Sequence, residues 1–159
     1  MSTFSFFQAL QNSEIAVGIG QSNHLYGVVA QVFHITGMVL ILASVLLVNL
    51  RLLGTGLTNQ SIPQLVKATS PLIWIGLIFI LLSGIFMFAP SAALYYPNPA
   101  FWLKFQLLGF ALIVQFTLYR KITAAEKPNR SIAILTAIIS LSLWFGVGIA
   151  GRAIGYVAA

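Results

Sequence analysis

Apolar positions along the chain gather into four long runs, at about 25–50, 71–90, 100–119 and 132–157. Each is long enough to cross a bilayer as a helix, which takes roughly 20 residues for about 30 Å of hydrocarbon. The polar positions inside the runs are not random. In the first, His34, Gly37, Ile41, Ser44, Val48 and Arg51 recur at three and four residues and make one stripe. The second gives Gly76, Ile80, Ser83 and Met87, the third Lys104, Leu108, Ala111 and Gln115, the fourth Ala137, Leu141, Gly148, Arg152 and Gly155. Small and polar residues on one face are what close helix packing in lipid requires. The predicted fold is all-α: a four-transmembrane-helix, up-down bundle forming a single integral membrane domain over 1–159.

The segments between the runs fill in the outline. Residues 3–17 mix Phe4, Phe6, Phe7 and Leu10 with Gln8, Gln11, Asn12 and Glu14, a pattern too polar to span and suited to an amphipathic helix on the membrane surface. Gly18 and Gly20 permit a turn before the first span. Gly54-Thr-Gly56 ends that span after Arg51, and 57–70, with Pro63 and Lys67, reads as a short amphipathic piece. Pro71 and Pro99 suit the first turns of spans two and three. Tyr26, Tyr95, Tyr96, Trp102 and Tyr156 fall near one membrane boundary, Trp74 and Tyr119 near the other. Residues 1–20 lack the basic start of a cleavable signal, so the first span is expected to direct insertion.

Charge then orients the bundle. Arg51, Lys67, Arg120, Lys121, Lys127 and Arg130 cluster around the first and third loops, whereas 89–99 carries no charge. The asymmetry predicts a bacterial inner (cytoplasmic) membrane protein with both termini on the periplasmic side. It also accounts for most of the net charge of +6, so the chain needs no nucleic acid partner; anionic lipid headgroups meet the basic loops. The expected partners are the lipid bilayer and either a larger membrane complex or a second copy of the chain. With 59% hydrophobic and 6% charged residues there is too little polar surface for a soluble globule. The absence of cysteine excludes disulfides, thioether-bound haem, cysteine-ligated clusters and thiol catalysis. No nucleophile–base pair and no paired carboxylates stand out, which disfavours a hydrolase. Gly146-Val-Gly148-Ile-Ala-Gly151 spells a dinucleotide fingerprint, but it lies inside an apolar helix whose N–H groups are already bonded.

The expected topology brings His34, Lys104 and Arg152 to one depth in the outer leaflet, with Gln31, Gln106 and Met87 nearby. Ionisable groups within spans tend to face a cavity, a partner or a ligand. Two cations here lack an intramembrane acid, so something anionic, or water, should complete the layer; the alternative is that both snorkel to headgroups. His34 is open to three readings: a structural histidine, an axial ligand of haem b, or a residue facing a metal ion or quinone. Copper is the rival, through His34 and Met38 on one helix face with Met87 opposite, since imidazole plus thioether suits Cu(I). Lys104 and Arg152 would repel a bare cation and attract propionates or a quinone oxygen, which ranks haem b or a quinone above copper. His24, ten residues and about 15 Å before His34 on a straight helix, shares a ligand with it only if the helix breaks at Gly27.

The runs His34-Ile-Thr-Gly37, Asn49-Leu-Arg51-Leu-Leu-Gly54, Asn98-Pro-Ala-Phe101 with Lys104, and Gly151-Arg152 resemble an uncharacterised family of small bacterial four-span inner-membrane proteins. More distantly they are similar to the membrane domain of copper-resistance protein D. The resemblance covers nearly the whole chain and falls on His34, Arg51, Lys104 and Arg152. In that family an acid often stands where this chain has Asn49 and Gln31, so the resemblance implies a weakened proton-relay or divalent-metal role here. The functional expectation is a small membrane redox subunit binding haem b or a quinone. The alternatives are a non-catalytic accessory subunit packing through its glycine-lined faces, and a copper-handling protein.

Overall fold

The computed structural model describes residues 2–125 and 128–157. Lys127, one of the basic loop residues, lies outside them, as does the C-terminal Ala159. The described chain is helical throughout: α1 (Thr3–Gln11), α2 (Glu14–Gln21), α3 (Leu25–Leu53), α4 (Ile62–Phe88), the short α5 (Ala92–Tyr95), α6 (Pro99–Val114), α7 (Arg120–Thr123) and α8 (Arg130–Val157). A π-turn, Gln115–Tyr119, joins α6 to α7 so that Pro99–Thr123 runs on as one helix. Helices α3, α4, α6–α7 and α8 are long and apolar enough to cross a membrane. They alternate in direction, so both termini and the α4–α6 connection share one end, called here the terminal end. The α3–α4 and α7–α8 loops share the other, the basic end.

Local chemistry sets each boundary. Helix α3 stops at Gly54, whose φ of +76° is left-handed backbone that suits glycine, and its N–H closes on the carbonyls of Leu50 and Arg51. Helix α4 starts at Ile62 rather than at Pro71, because Ser61 and Gln64 form a reciprocal capping box, 3.4 Å and 3.3 Å. The amphipathic piece expected over 57–70 is therefore largely the first turns of α4, and Pro71 sits inside that helix. At α6, Asn98 Oδ1 accepts from the N–H groups of Ala100 (2.9 Å) and Phe101 (3.3 Å), with Pro99 in the first turn. Its Nδ2 donates to the Ile154 carbonyl of α8 at 3.1 Å, tying two spans at the terminal end.

The bundle is packed in three levels. Phe7, Ala92 and Phe101 form the core at the terminal end, Ile41, Val45, Ala111, Trp144 and Val147 the middle, and Val48, Leu52, Ile62, Leu65, Tyr119, Ala133 and Ala137 the basic half. Lipid-facing positions such as Val32, Val39, Leu81, Ile113 and Ile149 are exposed and apolar, as a bilayer requires. The seams are unequal. Helix α3 packs along α4, α8 along α3 and α6, but α4 and α6 share no extended backbone seam. They meet through aromatic pairs, Phe88 with Phe101 (5.4 Å between ring centres) near one end and Trp74 with Phe116 (6.0 Å) near the other.

The tightest crossing is α3 on α4, where Gly37 and Gly76 face each other. A Cβ added to either would stand 2.7 Å from the other's carbonyl oxygen. Ahead of the spans, the surface segment is two helices rather than one, broken at Asn12-Ser13, and Gly18 and Gly20 lie within the second. Phe7 is edge-on to Phe88 and Tyr96, and Gln11 Oε1 accepts from Ala93 N–H at 2.9 Å, which seats α1 on the α4–α6 connection.

Candidate functional site

His34 sits on the buried stripe of α3 three residues before Gly37, where the tight α3–α4 crossing brings Ser83 to its ring. His34 Nδ1 is 3.0 Å from Ser83 Oγ. The Ser83 hydroxyl has a single proton, and it is directed at the Phe79 carbonyl one turn back. Ser83 Oγ therefore accepts, Nδ1 carries the hydrogen, and Nε2 is left with a lone pair. That lone pair faces Lys104, whose Nζ is 3.4 Å from Nε2. The three spans α6, α3 and α4 are thus joined by one directed relay: Lys104 ammonium to His34 Nε2, His34 Nδ1–H to Ser83 Oγ, Ser83 O–H to the Phe79 carbonyl.

Two glycines pack beside the relay at ordinary contact distance. A Cβ at position 84 would lie 3.7 Å from His34 Cε1, and one at position 151 would lie 3.5 Å from Lys104 Cε. The Lys104 stem lies against Gly151 of α8 and runs inward to the histidine instead of snorkelling to the surface. An ammonium has three N–H donors. One is used on His34, and Lys104 has no other hydrogen bond among the described residues. The chain's two acids are Glu14, exposed at the start of α2, and Glu126, outside the described residues.

The remaining expected site residues are placed elsewhere. Arg152 follows Gly151 by about 100° of helix and is exposed; its guanidinium donates to Tyr156 Oη (3.2 Å) and lies 5.1 Å from the Tyr156 ring centre. It makes no hydrogen bond with His34 or Lys104. Gly155 is exposed as well. Gln31 and Gln106 are exposed and make no hydrogen bond with the relay. Met38 points its methyl group toward Gly148 on α8. Met87, one turn beyond Ser83, lines a cavity of about 380 Å³ at the terminal end together with His24, Tyr26 and Tyr95. Helix α3 passes through Gly27 unbroken, so His24 stays a full ten residues from His34, about 15 Å along the axis. Among the described residues there is no cluster of three or more histidine and acidic ligands.

Ser83 is the member of the relay that sequence reasoning did not name as a site residue, although it lies on the predicted inward stripe of its span. A second buried polar set lies toward the basic end. Asn49 Nδ2 donates to Ser140 Oγ at 3.2 Å, and Asn49 Oδ1, Ser44 Oγ and Tyr119 Oη are buried without a partner. Ile41, Val45, Ala111, Trp144 and Val147, each buried to within 2% of full enclosure, separate that set from the relay.

The relay's fit to each expected cofactor follows from its lone pairs. An axial haem ligand, or a copper ligand, must offer the metal an imidazole lone pair. Here Nε2 already faces Lys104 and Nδ1 is protonated toward Ser83, so the arrangement as it stands offers none. What it does offer outward is hydrogen-bond donors.

The chain belongs to a family of unknown function, DUF6644, whose model matches residues 6–157. No curated protein and no solved structure matches it.

Proposed function

We propose that this member of the family is a quinone-handling subunit of a bacterial inner membrane, with its termini and the relay on the periplasmic side. The observation that carries the reading is the 3.4 Å approach of Lys104 Nζ to His34 Nε2, with no carboxylate beside it among the described residues. A quinone headgroup is apolar in outline with carbonyl oxygens that need donors, and the two uncommitted N–H groups of Lys104 suit one such oxygen. A charge-assisted hydrogen bond of this kind contributes about 1.5–3 kcal/mol. Entry would be lateral, from lipid, at the α4–α6 side where the bundle has no extended backbone seam.

Binding sites between the helices of a bundle commonly take this form. A proton passed from Lys104 to a reduced headgroup would have to be replaced by water at the terminal end, because the relay itself ends on the Phe79 carbonyl, which has no proton to give. The apolar level of Ile41, Val45, Ala111, Trp144 and Val147 closes a proton's route toward the basic end. Electrons come from a redox partner in the membrane. Haem b or copper at His34 would first require Lys104 to swing away, and the expected similarity to copper-resistance protein D finds no match that would favour copper. The accessory-subunit alternative keeps part of its glycine surface: Gly37, Gly76, Gly148 and Gly151 meet neighbours within the chain, whereas Gly109 and Gly155 are open.

Quinone extracted from protein purified in mild detergent tests the proposal. Close to one quinone per chain in the wild type, lost in Lys104→Met with the fold intact by circular dichroism, supports it. Protein from quinone-replete membranes that carries none, or carries the same amount in the variant, refutes it. A Soret band and bound iron instead would show that His34 is a haem ligand.

A further inference from the structure

At the basic end, α4 and α7 enclose a cleft of about 470 Å³ lined by Lys67, Ser70, Pro71 and Trp74 on one side and by Arg120 and Thr123 on the other. We infer that this cleft is a binding site for one anionic phospholipid, its phosphate held between Lys67 and Arg120 and an acyl chain descending past Trp74 and Phe116.

The lining is graded in the way a lipid is. Lys67 and Arg120 are exposed cations from different spans, and neither side chain has a hydrogen bond or ion pair among the described residues. Trp74 is seven residues, about 10 Å, deeper on α4 than Lys67. It is 55% exposed and pairs with Phe116 at 6.0 Å, so the wall below the charges is aromatic and faces lipid.

Two features of the backbone shape the cleft. Pro71 has no N–H to give the carbonyl four residues earlier, which belongs to Lys67. That leaves an acceptor beside the two cations, suited to a headgroup hydroxyl or ammonium. The π-turn Gln115–Tyr119 rotates the chain that follows it by roughly 100° relative to a continued α-helix, and Arg120 and Thr123 then face α4 across the cleft. Basic pockets between spans bind anionic headgroups in this way, whereas loop charge alone attracts lipid without a fixed site.

The test uses full-length protein exchanged into nanodiscs of phosphatidylcholine with one-tenth phosphatidylglycerol, released in the gas phase and weighed with its retained lipids. One phosphatidylglycerol per chain should survive, and its retention should fall at least tenfold in Lys67→Gln/Arg120→Gln. Each single variant should fall between, and Arg51→Gln and Lys121→Gln should match the wild type. Equal losses in the Arg51 or Lys121 variants would overturn the site, because general charge at this end would then explain them. Retention of phosphatidylcholine to the same extent would also overturn it. So would displacement of the lipid by millimolar inorganic phosphate, since the cleft would then be a site for a soluble anion. Lys67, Arg120 and Lys121 are exposed and Arg51 is half-buried, and circular dichroism confirms that each variant compared is folded.

Discussion

Replacing Gly76 with alanine should open the α3–α4 crossing and disturb the relay two turns away. The new Cβ would stand 2.7 Å from the Gly37 carbonyl oxygen and 2.8 Å from Ile41 Cγ1, where ordinary contact begins at 3.4 Å. Both neighbours are rigid, one being backbone and the other a fully buried side chain. The helices must therefore part by about 0.7 Å. Overpacking of this kind costs about 1–3 kcal/mol. The same displacement would stretch the 3.0 Å His34–Ser83 contact to about 3.7 Å, beyond hydrogen-bonding range, at a further cost of about 0.5–1.5 kcal/mol. Gly27→Ala is the control: nothing lies within 4 Å of its Cβ, and it shares the helix-propensity gain. Unfolding by sodium dodecyl sulfate in mixed micelles, followed by far-ultraviolet circular dichroism, should place Gly76→Ala about 1.5–4.5 kcal/mol below Gly27→Ala. Gly37→Ala presses on the same crossing, so the double variant should lose less than the sum of the singles. Equal midpoints for Gly76→Ala and Gly27→Ala would refute the close crossing and the relay geometry built on it.

Asn98→Ala removes the cap of α6 and the bond to the Ile154 carbonyl, and should lower stability by about 1–3 kcal/mol in the same assay; a loss under 0.5 kcal/mol would contradict the cap. Ser83→Ala removes the serine acceptor from His34 Nδ1 while Lys104 still donates to Nε2. The preference of the ring for the Nδ1–H tautomer, read from ¹⁵N chemical shifts of labelled histidine, should therefore weaken without being lost, while Met87→Leu should leave that preference unchanged. A cytoplasm-dependent reporter fused after Ala159 should be silent and one inserted after Ala124 active; the reverse would place the relay on the cytoplasmic side.

Much of this architecture is legible in the sequence because a bilayer leaves few alternatives. Four apolar runs give four spans, and the stripe from His34 through Gly37, Ile41, Ser44 and Val48 is indeed the packed face of α3. The start of α4 is less visible to hydropathy, since its first turns are polar, although Ser61 and Gln64 spell a capping box. Arg152 illustrates a finer limit. The packed face of α8 is set by the large Trp144 and by Val147 and Gly151, and one residue beyond Gly151 is enough to turn a side chain out of the bundle. Gln31 is left outside for a similar reason, because most of the first turns of α3 stand clear of their neighbours. The direction taken by the Lys104 stem, along Gly151 of α8 and toward His34 of α3, is set by neighbouring helices, which no pattern within the third span reveals.

Titration of a short-chain quinone into nanodisc-embedded protein, followed by isothermal calorimetry, tests the central claim most directly. One site per chain is expected, with affinity reduced about tenfold to a hundredfold in Lys104→Met, as the loss of one charge-assisted hydrogen bond implies. Arg152→Gln, which removes a cation outside the relay, should bind as the wild type does. Saturable binding that is unchanged in Lys104→Met, or no binding by the wild type, would contradict the assignment of Lys104 and His34 to a quinone headgroup.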